Sequence, residues 1–354
     1  MRTIGLVLRR LLSDAAAIYC GGVIVLVALW HTAAQPPWWL ALANVFALYL
    51  FAPLLLLAPA ALVVRSRGLR STVVVLVAIF LLLFGARLIP ASATQARGAH
   101  LRVLTFNQLH GNARVEDVVM AVRGQDADVV ALQELSVQVA TAMRRQLGEM
   151  YPYQFAMASE REYGLGVFSR YPLREMRFEQ GFSGQRMIVD VHGQPITLIN
   201  VHLTAPAIRT RRFWPLRPLK VILDYNTAQR ASEAARLLRT IDAIQGPLVV
   251  LGDFNTGDRE PAYAEFAARM HDAYRETAWG FGFTFPNDQR LGRLAVPFPL
   301  VRIDYVWSRG GVMPALAWVD CASSGSDHCM LIADLRVGSD ESNMTVVKGG
   351  DAPW

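Results

Sequence analysis

The stretch that decides the fold is PLVVLGDFN, residues 247–255. Its first half is apolar, and Asp253 and Asn255 follow that apolar run almost at once. A short, continuous apolar run predicts a β-strand that is covered on both faces. Gly, Asp and Asn also favour turns, so the polar end of this stretch fits either a turn or a functional site. The rest of the chain decides between the two.

Five further segments share this arrangement, in which a strand-like run meets a residue that can bind a metal or transfer a proton. Taken singly, each has a structural explanation, such as a helix cap, a core histidine, a loop end or an ion pair with Arg302. Together with the first stretch they favour one shared site. The five are LRVLTFNQ (101–108) with Asn107, ADVVALQEL (127–135) with Glu134, PITLINVHL (195–203) with Asn200 and His202, RIDYVWS (302–308) with Asp304, and GSDHCML (325–331) with Asp327 and His328.

The residue types at these strand ends predict a particular chemistry. Carboxylate and amide oxygens are hard ligands that suit Mg²⁺ or Mn²⁺ and not the softer metals that bind thiolates. Such a cation bridges phosphate oxygens and neutralises the charge that develops at phosphorus. Imidazoles beside the cation can then transfer protons and bind the anion. We therefore expect a divalent-cation site that acts on a phosphoester.

Helical and strand-like segments are mixed along residues 101–337, which predicts an α/β domain with a large, mixed sheet core. Apolar residues recur at helical spacing in 115–125, 136–147 and 226–244. Further strands are expected at 164–170 and 186–193. The stretch GFGFTFP (280–286) is expected to be a strand or a packing loop, with the rim of the cleft as the alternative.

The net charge of the chain resides in its first quarter. The 354 residues carry a net charge of +6, and residues 1–90 hold seven arginines, no lysine and one acid, Asp14. The remainder is therefore neutral overall. A neutral domain lacks the broad basic surface of a non-specific DNA-binding protein, so charge does not favour nucleic acid as the partner.

Three apolar runs predict three transmembrane helices within residues 1–90. The uncharged runs are 15–30, 38–64 and 71–86, and a spanning helix needs about 20 mainly apolar residues. Proline within the second run can kink it, which a helix bundle tolerates. A cleaved signal peptide is the alternative for the first run, but two more runs follow it and no small-residue cleavage site is evident.

The placement of arginines predicts the orientation in the membrane. Arginines cluster before the first run and between the second and third, whereas the loop between the first and second is uncharged. The positive-inside rule then puts the N-terminus in the cytoplasm and everything after the third helix outside it, although Arg87 and Arg97 oppose this. We expect an integral protein of the cell membrane with the lipid bilayer as a partner. The clustered residues are Arg2, Arg9 and Arg10, followed by Arg65, Arg67 and Arg70.

Composition predicts four parts of the chain. Residues 1–90 form a membrane anchor, 91–100 a linker, 101–338 a catalytic domain and 339–354 a disordered tail. The linker prediction depends on PASATQARG (90–98), which is rich in small residues. The tail has few apolar residues and no periodicity.

The order of the polar motifs is Asn, Gln-Glu, Asn-x-His, Gly-Asp-Phe-Asn, Ile-Asp-Tyr and Ser-Asp-His. This order resembles the endonuclease/exonuclease/phosphatase superfamily over about residues 100–337. GDFN and SDH at this separation are a specific pair. The resemblance implies a four-layer α/β sandwich of two sheets (α+β in some schemes), with the site where loops meet at one end. It also implies a metal-dependent phosphoric ester hydrolase.

The resemblance assigns the metal and the water by position. Asn107, Glu134 and Asp327 would hold Mg²⁺ or Mn²⁺. Asp253 would orient or deprotonate the attacking water, and Asn255 would position the phosphate. Whether one or two metals act, and which residue is the general base, stay open.

The resemblance also implies roles for the two imidazoles. His202 would be the general acid toward the leaving oxygen. His328 would bind the phosphoryl oxygen or assist the water, and Asp304 would hold its ring in orientation, a device that fixes tautomer and geometry. The partner of His202 stays open, with Tyr163 and Glu162 as candidates.

Residues 205–220, APAIRTRRFWPLRPLK, combine basic and apolar side chains. They fit a membrane-surface loop with Trp214 as interfacial anchor, a nucleic-acid grip, or a solvated loop. A tether beside the bilayer favours the lipid interpretation.

Two smaller features are left open by the sequence. Cys321 and Cys329 flank the Ser-Asp-His motif and can pair outside the cytoplasm, but their spacing does not require it. His110 can reach the site from its position after Asn107, although a solvated loop is the expectation.

We therefore expect a membrane-anchored, divalent-metal-dependent phosphoesterase that hydrolyses a phosphodiester or phosphomonoester by in-line attack of water. A lipid or another membrane-associated phosphoester is the favoured substrate. One alternative is a nuclease acting on DNA or RNA. Another is a non-catalytic membrane protein that uses the fold to bind a partner. The sequence leaves the oligomeric state undetermined.

Overall fold

The computed structural model describes residues 2–33, 36–89, 98–212, 220–287, 290–291, 294–295, 298–321 and 324–338. Two compact units emerge: residues 1–90 with 206–227, and residues 91–205 with 228–354. The expected tail, most of the expected linker and Trp214 lie outside the described residues.

The helices and strands alternate irregularly along the chain. The helices are α1 (Arg2–Thr32), α2 (Trp38–Val45), α3 (Leu54–Val64), α4 (Arg67–Phe84), α5 (Val115–Gly124), α6 (Val137–Leu147), α7 (Ala228–Ala243), α8 (Pro261–Ala267) and α9 (Ala273–Thr277), with 3₁₀ turns at Ala47–Phe51 and Gly85–Arg87. The strands are β1 (Ala99–Asn107), β2 (Val129–Gln133), β3 (Tyr153–Met157), β4 (Leu165–Ser169), β5 (Leu173–Phe178), β6 (Gly184–Val191), β7 (Gln194–His202), β8 (Ala207–Arg212), β9 (Lys220–Asn226), β10 (Leu248–Asp253), β11 (His271–Asp272), β12 (Arg290–Leu291), β13 (Leu294–Ala295), β14 (Asp304–Arg309), β15 (Val312–Asp320) and β16 (Met330–Val337).

The second unit is a four-layer α/β sandwich, which confirms the predicted fold class. One six-stranded sheet has the order β15-β16-β1-β2-β4-β3, and the other has the order β11-β14-β10-β7-β6-β5. Both sheets mix parallel and antiparallel neighbours, as β1 runs parallel to β2 and antiparallel to β16. Helices α5 and α6 cover the first sheet, and α7 and α8 cover the second.

Period-two alternation divides each strand between two cores. On β10, Val249 and Leu251 face the other sheet, whereas Leu248 and Val250 pack beneath the covering helices. Because side chains alternate across a strand, Asp253 continues the face of Val249 and Leu251. The polar end of the apolar run therefore lies on the inter-sheet face.

Strand β15 was not expected from the sequence. It is an edge strand with Pro314 inside it, and its register against β16 shifts between Pro314 and Leu316. Proline has no backbone N–H to donate between strands, so it is tolerated only at edge strands and bulges. A proline inside a segment therefore argues against a strand when the sequence is read alone.

The first unit contains three helical segments long and apolar enough to cross a membrane, as predicted: Arg9–Thr32, Ala47–Val64 and Arg67–Arg87. The second is interrupted, because Pro53 directly precedes α3 and Pro59 lies inside it. Ser66 caps α4 by accepting a hydrogen bond from the Leu69 N–H.

The first unit also contains a hairpin that the sequence division assigned to the catalytic domain. Strands β8 and β9 pair antiparallel with each other and with no other strand in the described part of the chain. Residues 206–227 cluster with the N-terminal helices, and β9 packs against α2.

Candidate active site

Three neighbouring strands of the second sheet place three polar side chains in one row. Asp253 at the end of β10 is in register with His202 on β7 and with Asp304 on β14. On the first sheet, Asn107 at the end of β1 is in register with Gln133 on β2. The two sheets therefore bring polar strand ends together at one end of the inter-sheet space.

The carboxylate of Asp253 is buried and is contacted from several directions. Its Oδ1 accepts the Asn255 N–H at 2.8 Å. Its Oδ2 accepts hydrogen bonds from the side-chain amides of Asn107 at 3.0 Å and Asn255 at 3.2 Å. The Nε2 atoms of His202 and His328 both lie 3.7 Å from the same oxygen. One carboxylate oxygen thus has an imidazole on either flank.

His328 is held by a second carboxylate. Its Nδ1–H donates to Oδ2 of Asp304 at 2.9 Å, and both residues are buried. Arg302, the alternative partner of Asp304, instead makes two hydrogen bonds to Asp272 at 3.0 and 2.7 Å. The imidazole therefore turns its Nε2 toward Asp253.

The charges of this row are interdependent. Burial raises the pKa of Asp253 to about 6, against the opposing charge of His328. Burial by itself lowers the pKa of His328, but the carboxylates of Asp304 and Asp253 outweigh it and raise that pKa to about 10. The two neighbouring carboxylates therefore favour the protonated form of the His328 imidazole.

Two of the predicted metal ligands, Asn107 and Glu134, are in contact. The Asn107 amide donates to Oε1 of Glu134 at 3.0 Å, and the backbone N–H of His110 donates to Oε2 of Glu134 at 2.8 Å. Burial raises the pKa of Asp327, and the carboxylate of Glu134 raises it further while His328 opposes both. Two partly buried carboxylates that repel each other next to an amide are a donor set that a hard divalent cation stabilises.

A second donor set lies beside the first. Ligand atoms of Asp253, Asp304 and His328 lie within 4.8 Å of one another. Oδ1 of Asp304 is buried without a hydrogen-bond partner in the described part of the protein. The residues present therefore fit a divalent cation in two alternative ways.

Two site residues have unusual backbone conformations. Glu134 has φ 54° and Asn255 has φ 49°, in the left-handed region. This region is uncommon for residues other than glycine, and such conformations cluster at functional sites. Glu134 directly follows β2 and Asn255 lies two residues after the end of β10, so each turn redirects a side chain where the sheet ends.

Asn200, which the sequence placed with the polar strand ends, lies in the core. Its Oδ1 accepts from Nε2 of Gln133 at 2.7 Å, and its Nδ2 donates to Oε1 of Gln185 at 3.2 Å. All three residues are fully buried. Asn200 lies on the same face of β7 as His202 but two residues earlier, inside the inter-sheet space. There it joins a buried network of hydrogen-bonded amides.

The two candidate partners of His202, Glu162 and Tyr163, are exposed. Tyr163 is 66% exposed. The acidic groups near Nε2 of His202 are Glu134 at 3.8 Å and Asp253 at 3.7 Å. His110 is half-buried, and its Nδ1 is buried without a hydrogen-bond partner among the described residues.

Sequence reasoning missed the residues that support the Ser-Asp-His loop. Ser326 donates to the Asn107 carbonyl at 2.6 Å and accepts the His328 N–H at 3.0 Å. The ring of Phe285 lies 4.9 Å from that of His328. The N–H of Asn287 donates to the Asp327 carbonyl at 2.7 Å. The phenylalanine-rich stretch 280–286 was the one feature of the sequence that could have indicated this support. Its pattern does not show that it packs against the Ser-Asp-His loop.

The same loop carries a disulfide. Cys321 and Cys329 are bonded to each other, and Cys329 directly follows His328. The N–H of Cys329 donates to the Thr284 carbonyl at 2.8 Å. Oγ1 of Thr284 in turn accepts the N–H of Asp304 at 3.3 Å. The strand ends that carry Asp304 and His328 are therefore tied together through Thr284.

These features define a class of four-layer α/β sandwiches whose inter-sheet face ends in acids and imidazoles. Residues 104–328 match the model of the Endonuclease/Exonuclease/phosphatase family, and the chain belongs to this family. Members of the family are hydrolases that act on phosphoesters. A comparison with curated proteins gave no match.

Solved structures share the fold at low sequence identity. Zebrafish (D. rerio) TDP2 complexed with a single-strand DNA product has a TM-score of 0.52 at 16% identity, covering 67% of this chain and 99% of that one. An endonuclease/exonuclease/phosphatase from Bacteroides vulgatus has a TM-score of 0.50 at 19% identity, covering 67% and 99%. TDP2 from C. elegans has a TM-score of 0.50 at 14% identity, covering 79% and 92%.

Proposed function

We propose that the chain is a membrane-anchored, divalent-metal-dependent phosphoesterase that hydrolyses a phosphodiester or phosphomonoester by in-line attack of water. The observation that carries this proposal is the position of Asp253. Its carboxylate lies between two imidazoles and accepts a hydrogen bond from Asn107, which also contacts Glu134. The Asp253 carboxylate, which can accept a proton, therefore lies close to two imidazoles that can transfer protons and to side chains that can bind a cation.

Asp253 orients the attacking water and accepts its proton. Its Oδ2 faces the space between the imidazoles, while its Oδ1 is occupied by the Asn255 N–H. A general base must lie within hydrogen-bond reach of the proton that it abstracts. Asn255 contributes its side-chain amide to positioning the phosphate.

The two imidazoles act on opposite sides of the phosphorus. His328, held by Asp304 through Nδ1, presents Nε2 to a phosphoryl oxygen. His202 is partly accessible, with 14% of its side chain exposed, and gives its proton to the leaving oxygen. Donors aimed at developing charge in a site shielded from water are the main source of rate enhancement in such reactions.

Asn107, Glu134 and Asp327 would hold the cation. When bound, Mg²⁺ or Mn²⁺ neutralises charge on the phosphate oxygens. The chain's own contribution is to keep these three donors together, through the hydrogen bond from Asn107 to Glu134 and the bond from Ser326 to the Asn107 carbonyl.

Two observations support a catalytic domain outside the cytoplasm. Arg9 donates to the carbonyl of Arg65 at 2.7 Å, so the arginines near the start of α1 and those between α3 and α4 lie at one end of the helix bundle, while Arg87 follows the other end of α4. The positive-inside rule assigns the end with Arg9 and Arg65 to the cytoplasm. The disulfide between Cys321 and Cys329 also belongs to an oxidising compartment.

A membrane phosphoester is the substrate that these features favour, because the anchor keeps the enzyme at the bilayer and the remaining residues carry no net positive charge. The second candidate is a nuclease, which the fold shared with a zebrafish TDP2 bound to a single-strand DNA product supports. A non-catalytic binding protein is the third candidate, and a complete set of polar strand ends argues against it.

Hydrolysis of bis-(p-nitrophenyl) phosphate with Mg²⁺ by the purified full chain tests the proposal. Asp253→Ala and His328→Ala should each abolish the activity. Asp242→Ala and His192→Ala, at surface positions that contact Arg269 and Tyr171, should retain it. Equal rates in all four variants would reject the enzyme. A panel of lipid, nucleotide, DNA and inositol phosphoesters with Mg²⁺, Mn²⁺ and Ca²⁺ then separates the substrate classes.

A further inference from the structure

The β8–β9 hairpin belongs to the same compact unit as the candidate membrane spans. Its residues, 206–227, interrupt the catalytic domain in sequence directly after His202 and Leu203, yet they cluster with residues 1–90. Strand β9 packs against α2, the short helix that precedes the second span. An element that packs on a membrane helix while lying within another domain's sequence needs an explanation.

The described part of the hairpin exposes both basic and aliphatic side chains. Arg209, Arg211 and Arg212 are exposed. Ile208 and Val221 are 52% and 45% exposed. Exposed aliphatic residues beside arginines are typical of surfaces that lie in the headgroup region of a bilayer.

Register places charge and apolar surface side by side. Arg211 on β8 is the cross-strand partner of Val221 on β9, and Arg209 is the partner of Asp224. Residues directly opposite in an antiparallel pair project from the same face. One face of the hairpin therefore carries two arginines next to an exposed valine, with a single acid to offset them. Alternation along β8 gives the opposite face Ile208 and Arg212, which are also exposed, so both faces combine basic and aliphatic side chains.

The position of α2 within the bundle gives the depth of this surface. Nε1 of Trp30, near the end of α1, donates to the Leu40 carbonyl in α2 at 3.0 Å. Arg9, near the start of α1, contacts Arg65 instead. Arg9 and Trp30 are separated along one helix by roughly 30 Å at 1.5 Å per residue, about the thickness of the hydrocarbon core. Strand β9 therefore packs at the end of the bundle opposite the arginine-rich end.

We propose that the β8–β9 hairpin is a membrane-surface clamp that binds anionic phospholipid headgroups through Arg209, Arg211 and Arg212, with Ile208 and Val221 in the interfacial layer. The proposal rests on the membrane embedding of the proposed function and not on its chemistry. The hairpin continues the apolar surface of the spans into a basic surface, and it does so at the end where headgroups lie.

The two described strands of the hairpin favour lipid over nucleic acid. Single-stranded nucleic acid is gripped by exposed aromatic rings that stack on bases. Among the described residues of the two strands, the one aromatic side chain, Tyr225, is only 7% exposed. Aliphatic side chains gain free energy in the interfacial layer but offer no stacking surface. Three arginines at an anionic surface give roughly a 100-fold preference over a neutral one.

A fluorescent probe on the hairpin tests the proposal in the full chain. Val221→Cys in a Cys20→Ser background is labelled with an environment-sensitive maleimide and reconstituted into nanodiscs of phosphatidylcholine, with or without phosphatidylglycerol. We expect a blue shift and quenching by brominated lipid in the anionic nanodiscs, both reversed by 0.5 M NaCl, because salt screens exposed charges.

Matched charge variants supply the control. Arg209→Gln/Arg211→Gln/Arg212→Gln should lose the anionic response, and the corresponding triple lysine variant should keep it. Arg144→Gln/Arg161→Gln/Arg239→Gln removes the same charge from exposed arginines of the second unit and should behave as the parent.

Two results would overturn the clamp. One is the same emission in neutral and anionic nanodiscs. The other is a blue shift produced in neutral nanodiscs by a single-stranded oligonucleotide, which would assign the hairpin to nucleic acid. None of these signals requires hydrolysis, so the clamp and the proposed phosphoesterase activity can fail independently.

Discussion

His328 donates a 2.9 Å hydrogen bond from Nδ1 to the carboxylate of Asp304, although 24 residues separate the two in the chain. Neither residue belongs to the predicted metal ligands. The bond fixes the ring so that Nε2 lies 3.7 Å from Asp253. Asp304 is therefore a positioning residue, and its effect on activity should pass through His328.

Replacing Asp304 by Asn should reduce kcat for phosphodiester hydrolysis by about 10²- to 10⁴-fold, because a neutral amide cannot stabilise the imidazolium. KM should change little. Steady-state kinetics of Asp304→Asn, His328→Ala and the double variant measure this. The double variant should be no slower than His328→Ala, because residues that act as a unit are not additive. Losses that multiply would show that Asp304 acts independently. Asp242→Asn, at an exposed carboxylate, is the control.

The two donor sets predict opposite results for metal binding. If Asn107, Glu134 and Asp327 hold the cation, Glu134→Gln should weaken Mn²⁺ binding by about 10- to 100-fold, whereas His328→Ala should leave the affinity close to that of the parent. Electron paramagnetic resonance of free Mn²⁺ measures both without turnover. The reverse result would assign the cation to Asp253, Asp304 and His328.

Removing the disulfide should destabilise the catalytic unit. Cys321 and Cys329 are eight residues apart, and in the chain-entropy model a loop of that size contributes about 2–3 kcal/mol to the free energy of unfolding. Urea unfolding of Cys321→Ser/Cys329→Ser, compared with Cys20→Ser, measures the difference. We also expect a lower kcat, since Cys329 adjoins His328. Unchanged stability would mean that the bond does not form in the purified protein.

The topology is tested by reporter fusions. A phosphatase that is active only outside the cytoplasm should be active when fused after Val337. The same reporter fused after Ser66, in the turn before α4, should be inactive. If the Val337 fusion is silent while a cytoplasmic reporter works there, the orientation is reversed and soluble nucleotides become better candidate substrates.

Asn200 should matter for stability and not for metal binding. Asn200→Ala removes the donor to Oε1 of Gln185 and one acceptor of Nε2 of Gln133, which still donates to Oγ1 of Thr105. Unsatisfied buried polar groups cost about 1–3 kcal/mol each, so the free energy of unfolding should fall by that order. Mn²⁺ affinity should stay within about twofold of the parent. A twofold change is well below the tenfold change that 1.4 kcal/mol of binding free energy represents. A variant of normal stability that has lost Mn²⁺ binding would return Asn200 to the cation site.

Local features made much of the fold predictable. The apolar run before Asp253 and the helical spacing of 226–244 are read within a few residues, and the structure has β10 and α7 at those places. The order of the polar motifs indicated the family, which the match over 104–328 bears out. Sequence reasoning missed elements whose residues do not favour the structure that they adopt, such as β15, a strand that contains a proline.

What the sequence by itself determined is the set of strand ends and the residue types that they carry, because alternation and apolar runs depend on neighbours in the chain. Only the tertiary structure decided which of those side chains meet. Strand register and sheet packing join His328 to Asp304, turn Asn200 into the core and assign Arg302 to Asp272. They also group the β8–β9 hairpin with the membrane helices. These pairings depend on contacts between residues far apart in the chain, which no local pattern specifies.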